Sequence, residues 1–457
     1  MKKVTLLVLF CAISLPNFSQ SLEYQNLGLL FSKENNSGTA RFNAMSGAFG
    51  ALGGDVSAIK INPAGASVFN NSHFSASINS RNTDITSSFY GNSTSTQEEY
   101  FNFSQAGVVF VFKNHNNSDW NKFAFSFNYN IRNNYDNNFI VKGNSGFATF
   151  IEYPLDAGDP KTQYLNTGSQ EFINTYKGEL AEYNFAVSGV YQNDLYVGAS
   201  LNTFDLNFSQ KSTLIEQNND GNSNQLNTLL YQENYTTGTA FSLSAGVIYK
   251  ATKSLRLGFS YQTPVWFTEI LQDTNYDPNG GFDIGETVFH NGIDAPYTLF
   301  NDPYYITYKL KTPSKTTVSS AYIFKKNGLI SIDYTYKGYT KMKLSNGNFT
   351  SENQFFTNQL RNTHTINIGS EWRFKALSLR GGYHYEQSPD KNAIDSDNIK
   401  GYSFGAGYKF GNTKLDFAYQ NRSHSEFYDI YPQYNQVNTT DLNIDNRVIT
   451  ATLTISL

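Results

Sequence analysis

Charged side chains that alternate with apolar neighbours are the first candidates for chemistry in this chain, because only 16% of its residues are charged. Five of them fall on the polar face of alternating segments and would point into a shared interior: Asp333, Glu371, Arg373, Arg380 and Asp416. Their mixed sign predicts a network that is solvated or that contacts an internal plug. A basic member could instead hold the carboxylate head group of a ligand.

The sequence contains no pattern that would support catalysis, a metal site or a cofactor. His364 and His384 do not share metal-ligand spacing, and no nucleophile motif or phosphate-binding loop is present. Cys11 is the single cysteine and precedes the expected mature chain, which excludes a disulfide and a thiolate metal site there. The net charge of −4 comes in no long runs and gives no case for nucleic acid. We therefore expect neither an enzyme nor a cofactor-dependent protein.

The first twenty residues are typical of a secretory signal peptide. Lys2 and Lys3 supply its positive charge, and Val4–Leu15 is an apolar stretch too short to span a bilayer as a helix. Cleavage is expected near Ser19 or Gln20. An exported chain without a later long apolar run is either a soluble β-protein outside the cytoplasm or a β-barrel in the outer membrane of a Gram-negative bacterium.

Alternation of apolar and polar residues predicts strands from about His73 to the end of the chain. Phe and Tyr are plentiful, at 37 and 32 residues, and aromatics together with Thr, Ser and Asn are typical of strands and turns. In one segment Phe123, Phe125 and Phe127 share a face that is opposite Ser126. The final segment alternates in the same way and ends on an apolar residue, as expected for a strand that closes a barrel.

The connections alternate between short and long. Short polar turns lie near Asn114–Lys122, Asn193–Asp194, Thr252–Ser254, Lys326–Gly328, Lys375–Ala376 and Gly411–Thr413. Longer loops are expected at Gly91–Glu98, Ser145–Gly178, Gln217–Asn227, Gln272–Asp302, Ser345–Asn358, Ser388–Asn398 and Glu426–Leu442. This pattern predicts an all-β fold: a 14-stranded antiparallel transmembrane β-barrel with its short turns at the periplasm. A soluble β-sandwich also alternates, but rarely with such regular loop asymmetry.

The stretch Ala40–Val68 differs from the rest, since it is rich in Gly and Ala, poor in aromatics and lacks alternation. We predict that it plugs the lumen, with Asp55 and Asn62 supplying acceptors for its irregular backbone. The expected organisation is a signal peptide (1–20), an N-terminal hatch of short helices and turns (21–70) and an outer-membrane barrel (71–457).

The plug carries a motif. Its residues are Arg41, Met45-Ser46-Gly47-Ala48-Phe49, Gly53-Gly54-Asp55, Ser57-Ala58 and Asn62-Pro63-Ala64-Gly65. Weaker matches follow at Ser260–Pro264, Leu310–Pro313 and Leu379–Tyr383 with Ser388-Pro389. In this order the motifs resemble the FadL-type outer-membrane transporters (OMPP1/FadL/TodX) of long-chain fatty acids and other hydrophobic compounds. Ser46 and Gly54 depart from the family pattern, which has a glycine and an acidic residue there.

The resemblance implies a fourteen-stranded barrel with an N-terminal hatch, in agreement with the strand count. It also implies a mechanism. A hydrophobic ligand is captured by the long loops, moves into an apolar pocket beneath them and is released when the hatch shifts. The ligand then leaves sideways through a gap that an inward kink of the third strand makes in the wall. The hatch residues that match the motif are Arg41, Met45, Gly47, Phe49, Asp55, Asn62, Pro63 and Ala64. Asn62 and Pro63 are expected to hold the plug in place rather than to contact the ligand.

The third strand contains the candidate lateral gate. Its outward row is expected to continue from Phe123 to Phe139, interrupted by asparagines that suit a strand poorly. The gate candidates are Asn130, Asn133, Asn134 and Asn137. Alternatively, the strand has passed the apolar band of the membrane here and stands in the polar zone above it.

Apolar residues in two long loops are candidate ligand contacts, because exposed apolar clusters in loops mark binding patches. In the loop Ser145–Gly178 they follow helix-like spacing. The candidates are Phe147, Phe150, Ile151, Phe172, Ile173, Tyr176, Tyr297 and Phe300. The same residues could equally pack the loops on each other.

The sequence thus predicts a passive channel that takes up hydrophobic small molecules and uses no cofactor. Long-chain fatty acids are the first ligand class that we expect. Its expected partners are such a ligand and outer-membrane lipid, and the expected state is a monomer. The alternative is an adaptor barrel of the PorV kind, which serves protein secretion at the outer membrane. An outer-membrane lipid hydrolase is a third, weaker hypothesis.

Overall fold

The computed structural model describes residues 22–35, 37–114, 118–274, 285–290, 297–300 and 305–457, so the predicted signal peptide lies outside the described residues. The strands form one closed antiparallel β-barrel of fourteen, which confirms the predicted fold class. Within the described ranges, no helix combines the length and apolar character needed to cross a membrane.

The wall strands follow one another around the barrel in chain order, and three of them are interrupted. Their bounds are β1 His73–Phe89, β2 Asn92–Lys113, β3 Trp120–Asn134 with Asn137–Gly143, β4 Asn166–Tyr191, β5 Leu195–Asn219, β6 Gln225–Lys250, β7 Leu255–Gln262 with Trp266–Asp273, β8 Tyr305–Lys311 with Lys315–Phe324, β9 Gly328–Lys337, β10 Thr363–Phe374, β11 Leu377–Glu386, β12 Ile399–Phe410, β13 Thr413–Tyr428 and β14 Thr440–Ser456. Short strands at Gly285–His290, Tyr297–Phe300 and Lys343–Ser345 add to the sheet beyond the wall.

The first and last strands close the barrel. β1 pairs with β14 from His73↔Ser456 to Ser88↔Asp441, and the amide of Leu457 donates to the carbonyl of Ser72 at 2.9 Å. Large apolar side chains on the outer face of the wall are exposed, among them Phe125 at 52% and Phe404 at 54%. This is the surface that a lipid bilayer would cover.

Prolines cause the breaks in β7 and β8. Pro264 and Pro313 lack the backbone N–H that a ladder requires, so each strand stops and restarts around them. The two breaks lie side by side, where the amide of Thr312 donates to the carbonyl of Val265 at 3.0 Å. Both prolines belong to the weaker family motifs.

Two of the predicted long loops are wrong. The segment Gly91–Glu98 is almost all strand, because Tyr90 and Gly91 form a tight two-residue turn, with φ of 45° and 81°. Ser145–Gly178 is a loop only as far as Leu165, since β4 begins at Asn166. The helix-like spacing of its apolar residues was misleading, because residues 144–165 contain no helix and the later residues alternate as a strand.

The N-terminal segment lies inside the barrel as short helices, and side chains cap the starts of all but the first. They are α1 Tyr24–Ser32, α2 Ala40–Ala44 and the 3₁₀ helices Val56–Lys60 and Pro63–Val68. Thr39 accepts from the amide of Phe42, and Asp55 and Asn62 cap the two 3₁₀ helices. The other helices lie in the loops between wall strands: α3 Thr350–Asn358 and the 3₁₀ turns Tyr339–Lys341 and Asp395–Asp397.

The interior of the barrel has two chemical layers. Toward the long loops, α1 buries Leu27 and Phe31 in a large apolar cluster that includes Phe172, Phe208 and Phe356. Around the segment 40–68, the wall presents mainly Ser, Thr, Asn and charged side chains. The apolar layer is therefore at the outer end of the barrel and the polar layer surrounds the hatch.

Candidate functional site: a plugged lumen with an upper cavity and an open wall seam

Arg41 fixes the hatch to the far wall through a buried carboxylate. Its Nε donates to Glu371 at 2.7 Å, and its guanidinium lies 5.0 Å from the centre of the Phe49 ring. Glu371 also accepts from Arg380 at 2.7 Å, and Arg380 in turn contacts Asp416 at 2.7 Å. Four of the five inward charges predicted from the sequence, Glu371, Arg373, Arg380 and Asp416, thus meet around one hatch residue, and they compensate each other instead of leaving a free cation for a ligand.

A second set of polar contacts fixes the backbone of the hatch. The amides of Phe49 and Gly50 both donate to one oxygen of Asp333, at 2.9 and 2.8 Å. The side-chain amide of Asn62 donates to the carbonyls of Gly50 at 2.8 Å and Val247 at 3.0 Å. Because these partners lie inside the lumen, away from bulk water, each satisfies a group that would otherwise be costly to bury.

Wall glycines let the hatch lie directly on the strands. A Cβ at Gly246 would meet Asn62 Oδ1 at 2.2 Å, one at Gly198 would meet the amide of Ala64 at 2.5 Å, and one at Gly382 would meet the Met45 carbonyl carbon at 2.6 Å. The set spans both halves of the barrel and comprises Gly107, Gly198, Gly246, Gly258, Gly369, Gly382 and Gly405. We call these seven residues the glycine belt.

The remaining motif residues make the hatch compact. Phe49 stacks on Phe42 with ring centres 5.5 Å apart, and Met45 is fully buried beside them. Gly47 has a φ of 77°, which a side chain would strain. Pro63 provides the first residue of its 3₁₀ helix, and its neighbour Ala64 packs into a small wall cluster.

The third strand departs from the wall halfway along its length. Its ladder with β2 runs only from Gln105↔Asn130 to Lys113↔Lys122, so residues 92–104 of β2 pair with β1 alone. The second part of β3 crosses the inner face of the first two strands, where Ser87 and Thr96 donate to its carbonyls at 2.6 and 2.8 Å. The wall therefore has an unpaired seam between β2 and β3.

The predicted outward row of β3 is wrong beyond Tyr129. Ile131 is 5% exposed, Tyr135 3% and Phe139 2%, so the row turns into the barrel. The cause is a register shift against β4 between Ile131 and Asn133, followed by a break at Tyr135.

The asparagines of the predicted gate lie at this bend, but each makes a different contact. Asn130 points inward and donates to Glu182, and Asn133 accepts from the side chain of Asn35 in the hatch at 2.7 Å. Asn134 donates to Asp136 at 3.1 Å, while Asn137 restarts the ladder opposite Tyr176.

A narrow cavity of about 60 Å³ lies behind the seam. Tyr100 and Asn102 of β2 line one side of it, and Ile131 and Asn134 of β3 line the other. Hatch residues, including Ser37, form its inner wall. The seam therefore leads to the hatch.

A larger cavity of about 330 Å³ lies among the long loops. Its apolar lining comes from in and around α1, from in and around α3 and from the inner face of β4, and it includes Leu22, Leu29, Leu30, Tyr176, Phe355 and Leu360. A pocket of this size and composition is suited to a small apolar molecule.

The predicted ligand contacts are only partly assembled around the upper cavity. Tyr176 lines it, and Phe172, Phe147 and Phe150 belong to or pack against the surrounding apolar cluster. Ile173 faces the other side of β4, and Ile151 is 37% exposed. Phe172, Ile173 and Tyr176 are strand residues, so their placement in a loop was wrong. The side chains of Tyr297 and Phe300 lie outside the described residues.

Acidic groups dominate the charged lining of the upper cavity. They are Glu23, Glu386, Asp390, Asp397, Glu426 and Asp429. Lys33 also lines the cavity, and its ammonium is paired with the carboxylate of Glu426 at 2.6 Å. Partial burial, together with repulsion from Asp429 and Glu352, raises the pKa of Glu23. The cavity therefore has no uncompensated cation among the described residues for an anionic head group.

Glu34 holds the hatch between the two cavities. Its carboxylate lies 2.5 Å from Arg132 of β3 and 2.9 Å from Lys315 of β8. Burial alone would raise the pKa of Glu34, but these two charges outweigh it and lower the pKa. In the described part of the chain, no group of His, Cys, Asp or Glu residues could hold a metal ion.

The geometry defines a class: a β-barrel of the outer membrane whose lumen is plugged and whose wall is open at one seam. The family model described as outer membrane protein transport protein (OMPP1/FadL/TodX) matches residues 166–454, well over half of the chain. The chain therefore belongs to the FadL/TodX family of outer-membrane transporters of hydrophobic compounds. A search of curated proteins finds no match.

Solved structures agree with the fold. A FadL homologue from Pseudomonas aeruginosa superposes with a TM-score of 0.56 at 14% identity, over 93% of this chain and 99% of that one. The CymD monoaromatic hydrocarbon channel gives 0.54 at 12% identity, over 93% and 99%. The toluene transporter TodX from Pseudomonas putida gives 0.54 at 13% identity, over 92% and 99%.

Sequence reasoning missed two sets of site residues. The helix α1 lies before the motif, yet its Leu27 and Phe31, spaced four apart, were an available signal. The glycine belt was also missed, although an isolated glycine within a strand pattern signals close backbone approach.

Proposed function

We propose that this protein is a passive channel for hydrophobic small molecules that works by loop capture, hatch movement and lateral exit. One observation carries the proposal: residues Leu22–Lys33 line the upper cavity, and residues Asn35 and Ser37 of the same segment line the seam cavity. A displacement of this one segment would join the two cavities and open a path from the loops to the lipid-facing wall. We expect the channel to act as a monomer, because one chain closes the barrel without a strand from a partner.

Long-chain fatty acids were the first ligand class that the sequence suggested, but the charges favour another. Burying a carboxylate requires a cation or several hydrogen-bond donors, and Lys33 is already paired with Glu426. The acidic lining would also repel an anion. We infer that the ligand is uncharged, an apolar hydrocarbon or a fatty alcohol in preference to an ionised fatty acid.

An uptake assay tests both parts. A strain that lacks its own transporter would express the protein and receive radiolabelled oleate, oleyl alcohol or toluene in parallel. The proposal expects faster uptake of a neutral compound than in cells with an empty vector, and a smaller gain for oleate. No gain with any compound would exclude the transport function, whereas a gain confined to oleate would exclude only the inference about charge.

A thiol placed in the seam tests lateral exit, and the same thiol on the outer wall is its matched control. Asn102→Cys places a unique thiol in the seam cavity, because the mature chain is expected to lack cysteine. Leu201→Cys places the same thiol on the outer wall, where Leu201 is 43% exposed. Lateral exit requires that a bulky maleimide block uptake in the first variant and leave it unchanged in the second.

A further inference from the structure

The cavity behind the seam contains a guanidinium with two donors that the protein does not use. Arg422 of β13 lines this cavity, and its Nε and Nη2 are buried with no acceptor among the described residues. These nitrogens form one edge of the guanidinium, the edge with which Arg41 holds both oxygens of Glu371. Gly401 leaves room for the side chain, since a Cβ there would lie 2.7 Å from Cγ of Arg422. Arg422 thus presents a fork that fits a carboxylate.

No carboxylate of the lining balances this charge. The lining includes two cations, Arg81 and Arg422, and the described residues that form it include neither Asp nor Glu. Glu386 is close enough to interact electrostatically with Arg422, but it is paired with the ammonium of Lys337 at 2.6 Å. Gln420, two residues away on β13, is 6% exposed, and its side-chain amide nitrogen is also buried without an acceptor in the described part of the chain. The β13 side of the cavity therefore combines a positive charge with several free donors.

Acceptors in the same lining limit where an anion can lie. The side-chain oxygens of Asn43 in the hatch and Asn79 in β1 are buried, and no described residue donates to them. An anion close to these oxygens would be repelled, so its place is against β13. Asn446 lies opposite Arg422 in the β13–β14 ladder and also has a buried oxygen without a donor among the described residues. A half-turn of its side-chain amide would present a donor instead.

We propose that the seam cavity binds a carboxylate, with Arg422 donating from Nε and Nη2 and Gln420 donating from its amide. Burying a carboxylate requires a cation or several donors, and this cavity supplies both, whereas the lining of the upper cavity is acidic. The planar fork of a guanidinium matches the two oxygens of a carboxylate and gives a spherical ion such as chloride no such match. The volume of about 60 Å³ suits a head group and is too small for a long chain.

The seam allows such a group to stay attached to a chain in the membrane. Tyr100 and Asn102 of β2 line the cavity, while Phe101 and Phe103 between and beside them are exposed on the outer wall. This part of β2 makes no ladder with β3. The acid is therefore either a fatty acid whose chain lies along these rings or a short soluble acid that enters from the lumen. Occupancy of this site does not depend on which molecule passes through the upper cavity.

Titration calorimetry on the full-length protein in detergent at pH 7 tests the site. Octanoate and formate are the probes, and octanol has the chain of octanoate without its charge. We expect Arg422→Gln to weaken carboxylate binding by roughly tenfold or more and to leave octanol unaffected, because only the charge-assisted hydrogen bonds are lost. Arg422→Lys should lose most of the affinity as well, since an ammonium keeps the charge but lacks the fork. Tighter binding of octanoate than of formate identifies a fatty acid, and equal binding identifies a soluble acid.

The matched control is Arg256→Gln. It removes the same charge from the wall below the hatch, where Arg256 donates to the carbonyl of Leu52 at 2.9 Å, and it should bind both probes as the unaltered protein does. All variants would first be checked for the heat-resistant mobility of a folded barrel. The proposal is overturned if neither probe binds saturably, or if the Arg422 variants bind them as well as the control, which would mean that water or Asn446 already satisfies Arg422. Displacement of the bound probe by an equal concentration of chloride would overturn it too.

Discussion

Single residues decide how firmly the hatch is held, and Glu34 is the clearest case. It is the acidic partner of two cations from opposite parts of the wall, Arg132 on β3 and Lys315 on β8. Removing the Glu34 carboxylate deprives both Arg132 and Lys315 of this partner. Removing one of the two cations leaves Glu34 paired with the other. Glu34 is therefore the carboxylate that ties the segment between the two cavities to two wall strands at once.

The Glu34→Gln variant should loosen this segment. A charge-assisted hydrogen bond contributes roughly 1.5–3 kcal/mol, so hydrogen exchange in residues 22–35 should speed up by about tenfold or more. Exchange measured by mass spectrometry at pH 7 checks this, with Glu99→Gln on an exposed β2 position as the control. An unchanged exchange rate would show that other contacts hold the segment.

The same contact should depend on pH. Because the pKa of Glu34 is lowered from 4.5 in the folded state, its stabilising effect is fully present above pH 4.5 and is lost as the pH falls through the lower, folded-state value. Acid should therefore speed exchange in residues 22–35 of the unaltered protein more than in Glu34→Gln. Equal acid sensitivity of the two proteins would contradict the assignment.

At the scale of elements, the hatch packs directly against the backbone of the wall strands. The glycine belt predicts that even one methyl group there displaces the hatch. Gly382 and Gly381 are adjacent in β11, yet a Cβ on the first would lie 2.6 Å from Met45 and one on the second no closer than 3.8 Å to any atom.

Gly382→Ala should therefore destabilise the plugged barrel by roughly 1–3 kcal/mol, the usual cost of overpacking, while Gly381→Ala should be nearly neutral. The denaturation midpoint in urea, followed by tryptophan fluorescence, would compare the two. Equal midpoints would indicate that the hatch is free to move away from this part of the wall.

Elements also show where sequence reasoning succeeded and where it stopped. Period-2 alternation located the wall strands, because one face meets lipid and the other the lumen over most of their length. It failed where that assumption ended: at the inward bend of β3 after Tyr129, and in β4 around Phe172, where the inner face is apolar. The tight turn at Tyr90-Gly91 was missed because its left-handed conformation is not a typical property of tyrosine.

At the scale of the whole molecule, the hatch and the barrel form one unit with two separate cavities. The hatch fills the polar layer of the lumen, and the upper cavity and the seam lie on either side of its first segment. The family motif in residues 41–65 could be read from the sequence, but the positions of both cavities depend on contacts between residues hundreds of positions apart.

Deleting Ala40–Val68 should leave a barrel that assembles and leaks. The wall ladders do not include this segment, so we expect folded protein in the membrane fraction and entry of small polar solutes such as sugars. Liposome swelling measures the leak, with the unaltered protein as the sealed control. A deletion variant that inserts and stays sealed would show that other residues close the lumen.

The anchoring of the hatch also has a consequence for the order of folding. The amide of Ala40 donates to Thr452 at 2.6 Å, and the side chain of Asn43 donates to Thr450 at 2.8 Å. Segments that are synthesised first thus find partners on the strand that is synthesised last. Contacts of such long sequence separation form slowly, and these two can form only once β14 is in place. We therefore expect the anchoring of the hatch to be completed late, together with the barrel itself.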